Sequence, residues 1–176
     1  EQILSGKEKT YPGVRVTGGV KLPGLNIGRT GRTEEQAKEA GYDVITVLAP
    51  TDDKAHYYPD SSFFITKMIA DKTTHKLLGV QVFGPGAVDK MVDIAVTAIT
   101  MNASLEDIEN MDLAYAPPFS TAIHPFSHTV NVLLNKISGA FTTITPLEYK
   151  TNKPEGYQVI DASIAPSIIG APYMDL

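Results

Sequence analysis

Tyr115-Ala116-Pro117-Pro118-Phe119-Ser120-Thr121-Ala122 sets adjacent prolines behind a tyrosine and ahead of an apolar run with helical spacing. Each proline fixes its own φ and disfavours helical geometry in the residue before it. Tyr115 to Phe119 is therefore expected to be a stiff, extended segment with little conformational entropy left to lose, suited to presenting a side chain. The plainer alternative is a loop leading into a helix. Beyond it, Ile123, Phe126, Val130, Leu133, Leu134 and Ile137 recur at helical spacing, which predicts a helix over Thr121–Ile137 stopped near Gly139. Its stripe fits either intradomain core or a subunit interface, and the sequence leans to core.

Upstream, Val88, Met91, Val92, Ala95 and Ile99 form the apolar stripe of a second helix over Ala87–Met101, opposite Asp89, Asp93, Thr97 and Thr100. Ser62–Ala70 and Leu77–Phe83 read as an antiparallel hairpin around the polar stretch Asp71–Lys76. Asp43–Ala49 is rich in β-branched residues and reads as a buried strand, while Thr33 and Gln36 form the capping box of a short helix ending at Gly41. These elements predict an α+β fold, an antiparallel sheet with helices packed on it.

The chain has 176 residues, 43% of them hydrophobic, which is enough for one domain with a real core. A net charge of −5 without a cluster of Lys or Arg argues against a nucleic-acid partner. No window is long and apolar enough to span a membrane, and the polar start Glu1–Thr10 does not read as a secretory signal. A soluble, cytoplasmic protein is expected. There is no cysteine, so the chain supplies neither a disulfide nor a catalytic thiolate.

Local motifs for other chemistries are weak. Gly84-Pro85-Gly86-Ala87-Val88-Asp89 follows a strand and opens a helix, yet Asp89 stands where a dinucleotide loop needs its third glycine, so a plain strand-to-helix turn is the reading favoured. His124 and His128 have metal-ligand spacing, but the sequence between them lacks the glutamate of a zinc-protease helix. They are expected to be helix-surface histidines, and no metal site is predicted. No G-x-S-x-G elbow for a serine hydrolase occurs.

Four blocks together carry a family resemblance. Arg29-Thr30-Gly31-Arg32-Thr33-Glu34-Glu35-Gln36-Ala37 looks like a G-L-T/S-E-x-x-A helix start, and His56-Tyr57-Tyr58-Pro59 like an A-x-Y-Y-P segment. Leu77-Leu78-Gly79-Val80-Gln81 through Gly86-Ala87-Val88-Asp89-Lys90 resembles an I-L-G-x-Q strand followed by G-V-D-K, and Tyr115 to Ser120 completes Y-A-P-P-[FY]-S. In this order they resemble the C-terminal dimerisation domain of pyridine nucleotide-disulfide oxidoreductases, in the coenzyme A-disulfide reductase, NADH oxidase and polysulfide reductase branch.

The resemblance implies a homodimer and a parent enzyme that uses FAD and NAD(P)H, with the reactive cysteine and both dinucleotide loops in domains N-terminal to this one. The chain then reads as a fragment that binds neither cofactor and does not turn over alone. A stand-alone scaffold module of the same fold is the alternative. In related branches the matching segment is H-x-H-P-T-x-x-E, a histidine and glutamate acid/base pair; aligning the prolines sets Pro117 and Ala122 at those positions, so that pair is replaced here. In the coenzyme A branch the tyrosine matching Tyr115 reaches the partner subunit's cysteine site. A neutral phenol there can donate a hydrogen bond to a departing thiolate, whereas its structural alternative is an amphipathic packing residue. Ala116, Pro117 and Pro118 would, by the same resemblance, close over the partner's flavin.

A second tyrosine contributes in some members, and Tyr173, Tyr149 and Tyr157 are its candidate counterparts, with Tyr173 the nominee. The texture changes near Pro146, dividing the chain into an interface domain over residues 1–145 and a tail over residues 146–176. Gln158–Ala162 and Gly170–Leu176 resemble the opening of a rhodanese-like domain, a C-terminal extension being the alternative. The electron acceptor (coenzyme A disulfide, a small disulfide, polysulfide or oxygen) and the choice of NADH or NADPH are left open by the residues present.

Overall fold

The computed structural model describes residues 6, 10–11, 13–152, 155–156 and 158. Contacts divide the chain after Phe141 into two units. The first is built on an antiparallel sheet of β1 (Gly18–Leu22), β2 (Leu25–Gly31), β3 (Val44–Asp52), β4 (Phe63–Asp71) and β5 (Leu77–Gly84), in the order β1-β2-β5-β4-β3. Val80 pairs with Met68 and Val82 with Thr66 across β4 and β5. Alternation along those strands puts Phe64, Met68, Val80 and Val82 on one face, where all are buried.

Helices α2 (Val88–Thr100) and α4 (Pro125–Ile137) cover that face, α2 over β2 and β5 and α4 over β3 and β4. Val88, Met91, Val92, Ala95 and Ala98 of α2 join Phe126, Val130 and Leu133 of α4 in one core. The expected α2 stripe is therefore the buried one, and Asp89, Asp93, Thr97 and Thr100 are exposed. The α4 stripe is core as expected, except that Ile123 lies outside the helix and is exposed. Gly28 of β2 lets α2 approach, since a Cβ there would lie 2.5 Å from a Val92 methyl carbon. The short α3 (Leu105–Glu109), capped by Ser104 and Asp107, packs against α4.

The other face is covered differently. α1 (Glu34–Glu39) carries the Thr33–Gln36 capping box and sets Ala37 against Ile69 and Leu78. Glu34 reaches Lys67 on β4 at 2.6 Å. Away from α1, the register aligns Val20, Ile27, Phe83, Ile65 and Pro50 in a row across all five strands. Val20, Ile27, Phe83 and Pro50 are exposed, as are the neighbouring Leu48 and Phe63.

One sequence reading is corrected, and two elements are added to it. Asp43–Ala49 is part of an edge strand rather than a buried one: β3 runs on to Asp52, tolerates Pro50 because its outer side pairs with nothing, and buries only Val47 and Ala49. The hairpin of β1 and β2, turned at Pro23-Gly24, was not anticipated, because an edge strand exposed on both faces has no apolar alternation to detect. In the second unit, the expected linker at Thr142–Pro146 leads into α5 (Pro146–Thr151), where Thr145 Oγ1 accepts from Glu148 N at 3.1 Å and Glu148 Oε2 accepts from Thr145 N at 2.6 Å. The stretch resembling a rhodanese-like opening lies outside the described residues apart from Gln158.

Where β2 leaves the sheet, Gly31 (φ +74°) pairs with Gly79, and Arg32 N donates to Leu78 O at 2.8 Å. A Cβ on Gly79 would lie 2.0 Å from the Arg32 carbonyl oxygen. Gly79→Ala is accordingly expected to lower the unfolding free energy by about 3 kcal/mol, because the obstructing atom is backbone and cannot turn aside. Gly18→Ala, which meets nothing within 4 Å, should change it by less than ~0.5 kcal/mol. Urea midpoints of the two variants make the comparison.

Candidate functional site

The connection from α3 to α4 carries the proline pair. Phe119 N and Ser120 N both donate to Ala116 O, at 2.8 and 3.1 Å, closing a turn with Pro117 and Pro118 at its corner. The segment is therefore not extended through to Phe119 as expected. The φ that proline imposes also suits the second position of a tight turn, and the turn hydrogen bonds take over there. The turn is fastened at its far side, where Lys90 Nζ in the first turn of α2 donates to Phe119 O at 3.2 Å. Tyr115 is 55% exposed and Phe119 72% exposed, whereas Ala116 and Pro117 are half-buried and Pro118 is exposed. The loop thus turns its large rings outward.

His124 closes the segment, and it is not the helix-surface residue expected. It is the N-cap of α4, followed by Pro125 at the first helical position, and is only 6% exposed. Its Nδ1 accepts from Phe126 N at 3.1 Å, so the ring is neutral with its proton on Nε2. Nε2 is buried and has no hydrogen-bond partner among the described residues. Burial, and then the charge of Lys90, push the His124 pKa down to about 4. His128, in contrast, is exposed and lines a separate groove with Phe63 and Ile123.

Between this segment, the start of α2 and the β3–β4 connection lies a cavity of about 470 Å³. Asp53 Oδ1 accepts from Ser62 N at 2.7 Å and Asp53 N donates to Ser62 O at 2.9 Å, which closes the loop holding His56, Tyr57 and Tyr58. Lys54 Nζ reaches Asp60 at 2.6 Å and Asp53 at 3.9 Å. The Lys54 contact holds the Asp60 carboxyl below its ordinary range. Asn26 Nδ2 donates to Pro85 O and Gly86 O at 2.9 and 2.8 Å, fixing the turn into α2. Sequence reasoning had Ser62 only as a strand start and Lys90 only as the end of the G-V-D-K block, and did not name Asp53; the three come together only through the fold.

The Gly84–Asp89 turn does not fit a dinucleotide phosphate. A Cβ on Gly84 would lie 2.2 Å from Phe63 O, and one on Gly86 would lie 2.9 Å from Asp53 Oδ2. These glycines make room for a carbonyl and a carboxylate of the chain itself. Among the described residues, no three His, Cys, Asp or Glu side chains converge on a metal position, and no helix is long and apolar enough to cross a membrane. Of the second-tyrosine candidates, Tyr149 is half-buried on α5 in the second unit, while Tyr157 and Tyr173 lie outside the described residues.

Because the folded-state pKa of His124 is depressed, its stabilising contribution is complete above the ordinary value of 6.5 and is lost as pH falls toward about 4. Over that window the unfolded chain takes up a proton that the native ring refuses, which should cost about 3 kcal/mol of stability. His124→Asn keeps a side chain able to cap α4 and removes the titration. Denaturation at pH 7, 5 and 4 should show a steeper acid loss for the parent chain than for this variant, and parallel curves would refute the assignment.

Comparison with known proteins identifies the family of this fold. The family model described as pyridine nucleotide-disulphide oxidoreductase, dimerisation domain, matches residues 19–126. The chain is 39% identical over 130 residues to the NAD(P)H sulfur oxidoreductase (CoA-dependent) of Pyrococcus furiosus, a match covering 74% of the chain and 29% of that protein. Among solved structures it resembles a NAD-dependent persulfide reductase from A. fulgidus, with TM-score 0.80 and 38% identity over 84% of the chain and 28% of that protein. It also resembles reduced Bacillus anthracis CoADR-RHD, with TM-score 0.80 and 29% identity over 85% of the chain and 27% of that protein. The chain thus spans less than a third of the length of each of these proteins. With the matched span running from β1 to the start of α4, the chain belongs to the pyridine nucleotide-disulphide oxidoreductase dimerisation-domain family.

Proposed function

We propose that this chain is the homodimerisation domain of an FAD- and NAD(P)H-dependent disulfide oxidoreductase acting on coenzyme A disulfide, a related small disulfide or a polysulfide, and that it completes the partner subunit's active site through Tyr115. The observation that carries this reading is Tyr115 itself, more than half exposed and immediately ahead of a turn that is closed on Ala116 and braced at Phe119 by Lys90. A phenol held outside the core on a restrained backbone is arranged to donate to a group that the domain does not contain. Ala116, Pro117 and Pro118 would lie against the partner's flavin, offering carbonyl acceptors and, at the prolines, no N–H. Bound flavin would supply the passage of reducing equivalents from the nicotinamide to the disulfide. The residues 1–145 form the interface domain in this reading, and residues 146–176 lead into a rhodanese-like domain or an extension.

The exposed apolar row across β1, β2, β5, β4 and β3 supports an assembly role, because a contiguous surface of this kind is costly to leave in water. Sedimentation equilibrium at tens of micromolar, a range set by weak-interface affinities, is expected to find a dimer. A monomer throughout would count against the homodimer.

In the full-length enzyme, Tyr115→Phe should slow the disulfide-reduction half-reaction roughly ten- to a hundredfold, corresponding to about 1.5–3 kcal/mol for one hydrogen bond to a developing thiolate. His128→Ala should leave it unchanged. Stopped-flow separation of the half-reactions decides the point: unchanged rates in the Tyr115 variant, with the second half-reaction abolished by the His128 variant, would move the role away from Tyr115.

A further inference from the structure

The cavity beneath the proline turn has two sides of different character. On one, Lys54 is committed to Asp60 and Asp53, and Asp53 also accepts from Ser62 N. On the other stand Lys90 and His124. Among the described residues Lys90 has no carboxylate partner, and its Nζ donates to the Phe119 carbonyl. His124 presents a buried donor, since its Nδ1 is occupied as an acceptor and Nε2 carries the proton with nothing to give it to. Ser62 Oγ is likewise buried and, among the described residues, unpartnered; both residues line the cavity, with these two atoms themselves closed to solvent. A buried donor left unsatisfied costs about 1–3 kcal/mol, and apolar packing alone gains nothing from placing a cation and an N–H donor side by side.

We propose that this cavity is a binding site for a small oxyanion-bearing ligand, a phosphate, phosphate monoester or carboxylate, whose anionic oxygens are held by Lys90 Nζ and His124 Nε2–H. Ser62 Oγ supplies a third contact, and Phe64, Met91 and Pro118 wall the body of the ligand. A neutral histidine suits the task, because its donor capacity does not depend on protonation across the physiological range. The Asp53 and Asp60 carboxylates also line the cavity, and Lys54, at 3.9 and 2.6 Å from them, offsets their charge in part. Nε2 is closed to solvent as the chain stands. Admission of the ligand therefore requires the side chains around Nε2 and Ser62 Oγ to shift.

This inference stands apart from the flavoenzyme reading, and it is tested on the chain alone. Inorganic phosphate and acetate are titrated separately by calorimetry, with the His124 ring resonances followed by NMR. The expected result is saturable binding that shifts the Nε2–H signal, weakened at least tenfold by Lys90→Gln and at least fivefold by His124→Asn, which preserves a capping side chain and so the fold. His128→Asn, in the other groove, should bind as the parent does. Preference for phosphate assigns a phosphoryl ligand and preference for acetate a carboxylate, either of which supports the site. Absence of saturation at tens of millimolar, or binding that the Lys90 and His124 variants leave unaltered, overturns it.

Discussion

Phe64, Met68, Val80 and Val82 alternate along β4 and β5 so that all bury beneath α2 and α4. Each such side chain contributes on the order of 1.5–3 kcal/mol of transfer free energy, so this face sets where both helices must lie. Their placement in turn dictates the connection. The chain leaves α2 at Met101, packs α3 against α4, and has to return to the start of α4 on the same side of the sheet. The proline segment makes that return. Its position beside α2, with Lys90 bonded to Phe119 O, is a consequence of one-sided burial.

The start of α4 joins packing and polarity in a single residue. A helix that begins with proline gives up an N–H that would have had no partner in any case, and the next free amide, Phe126 N, is taken by the ring of His124. Capping through an imidazole nitrogen requires the neutral form. Burial enforces it, and Lys90 reinforces it. The same arrangement that fixes the proton on Nε2 leaves that atom without a partner among the described residues, so the structural cap and the polarity of the cavity cannot be separated.

The parts of the fold legible in the sequence were those decided by local physics. The α2 stripe, the β4–β5 hairpin and the Thr33–Gln36 cap depend on spacing and on neighbours a few residues away. β1 escaped because Gly18-Gly19-Val20-Lys21-Leu22 is exposed on both faces and carries no period. His124 was misplaced because apolar spacing was extended back to Thr121, although Pro125 already marked the first helical position and Ser104 with Asp107 offered an unread cap for α3. For the candidate site, Tyr115 stood out through the prolines beside it. Asp53, Ser62 and Lys90 did not, because no sequence spacing relates them and only the β3–β4 connection and the start of α2 bring them to one cavity.

Two features exposed by the domain lie on opposite layers and ask for different kinds of contact. The row from Val20 to Pro50 belongs to the outer face of the sheet. It is broad, apolar and without directional groups, so whatever covers it gains from area and shape more than from chemistry. The proline turn belongs to the helical side, where Lys90 holds it, and offers little area but the exposed Tyr115 hydroxyl just ahead of it. A surface of the first kind can hold a large neighbouring body in place; one of the second kind can act only if something else has fixed its distance. Under the proposed function the turn would therefore depend on an interface other than itself, as a side chain delivered to a partner's site must.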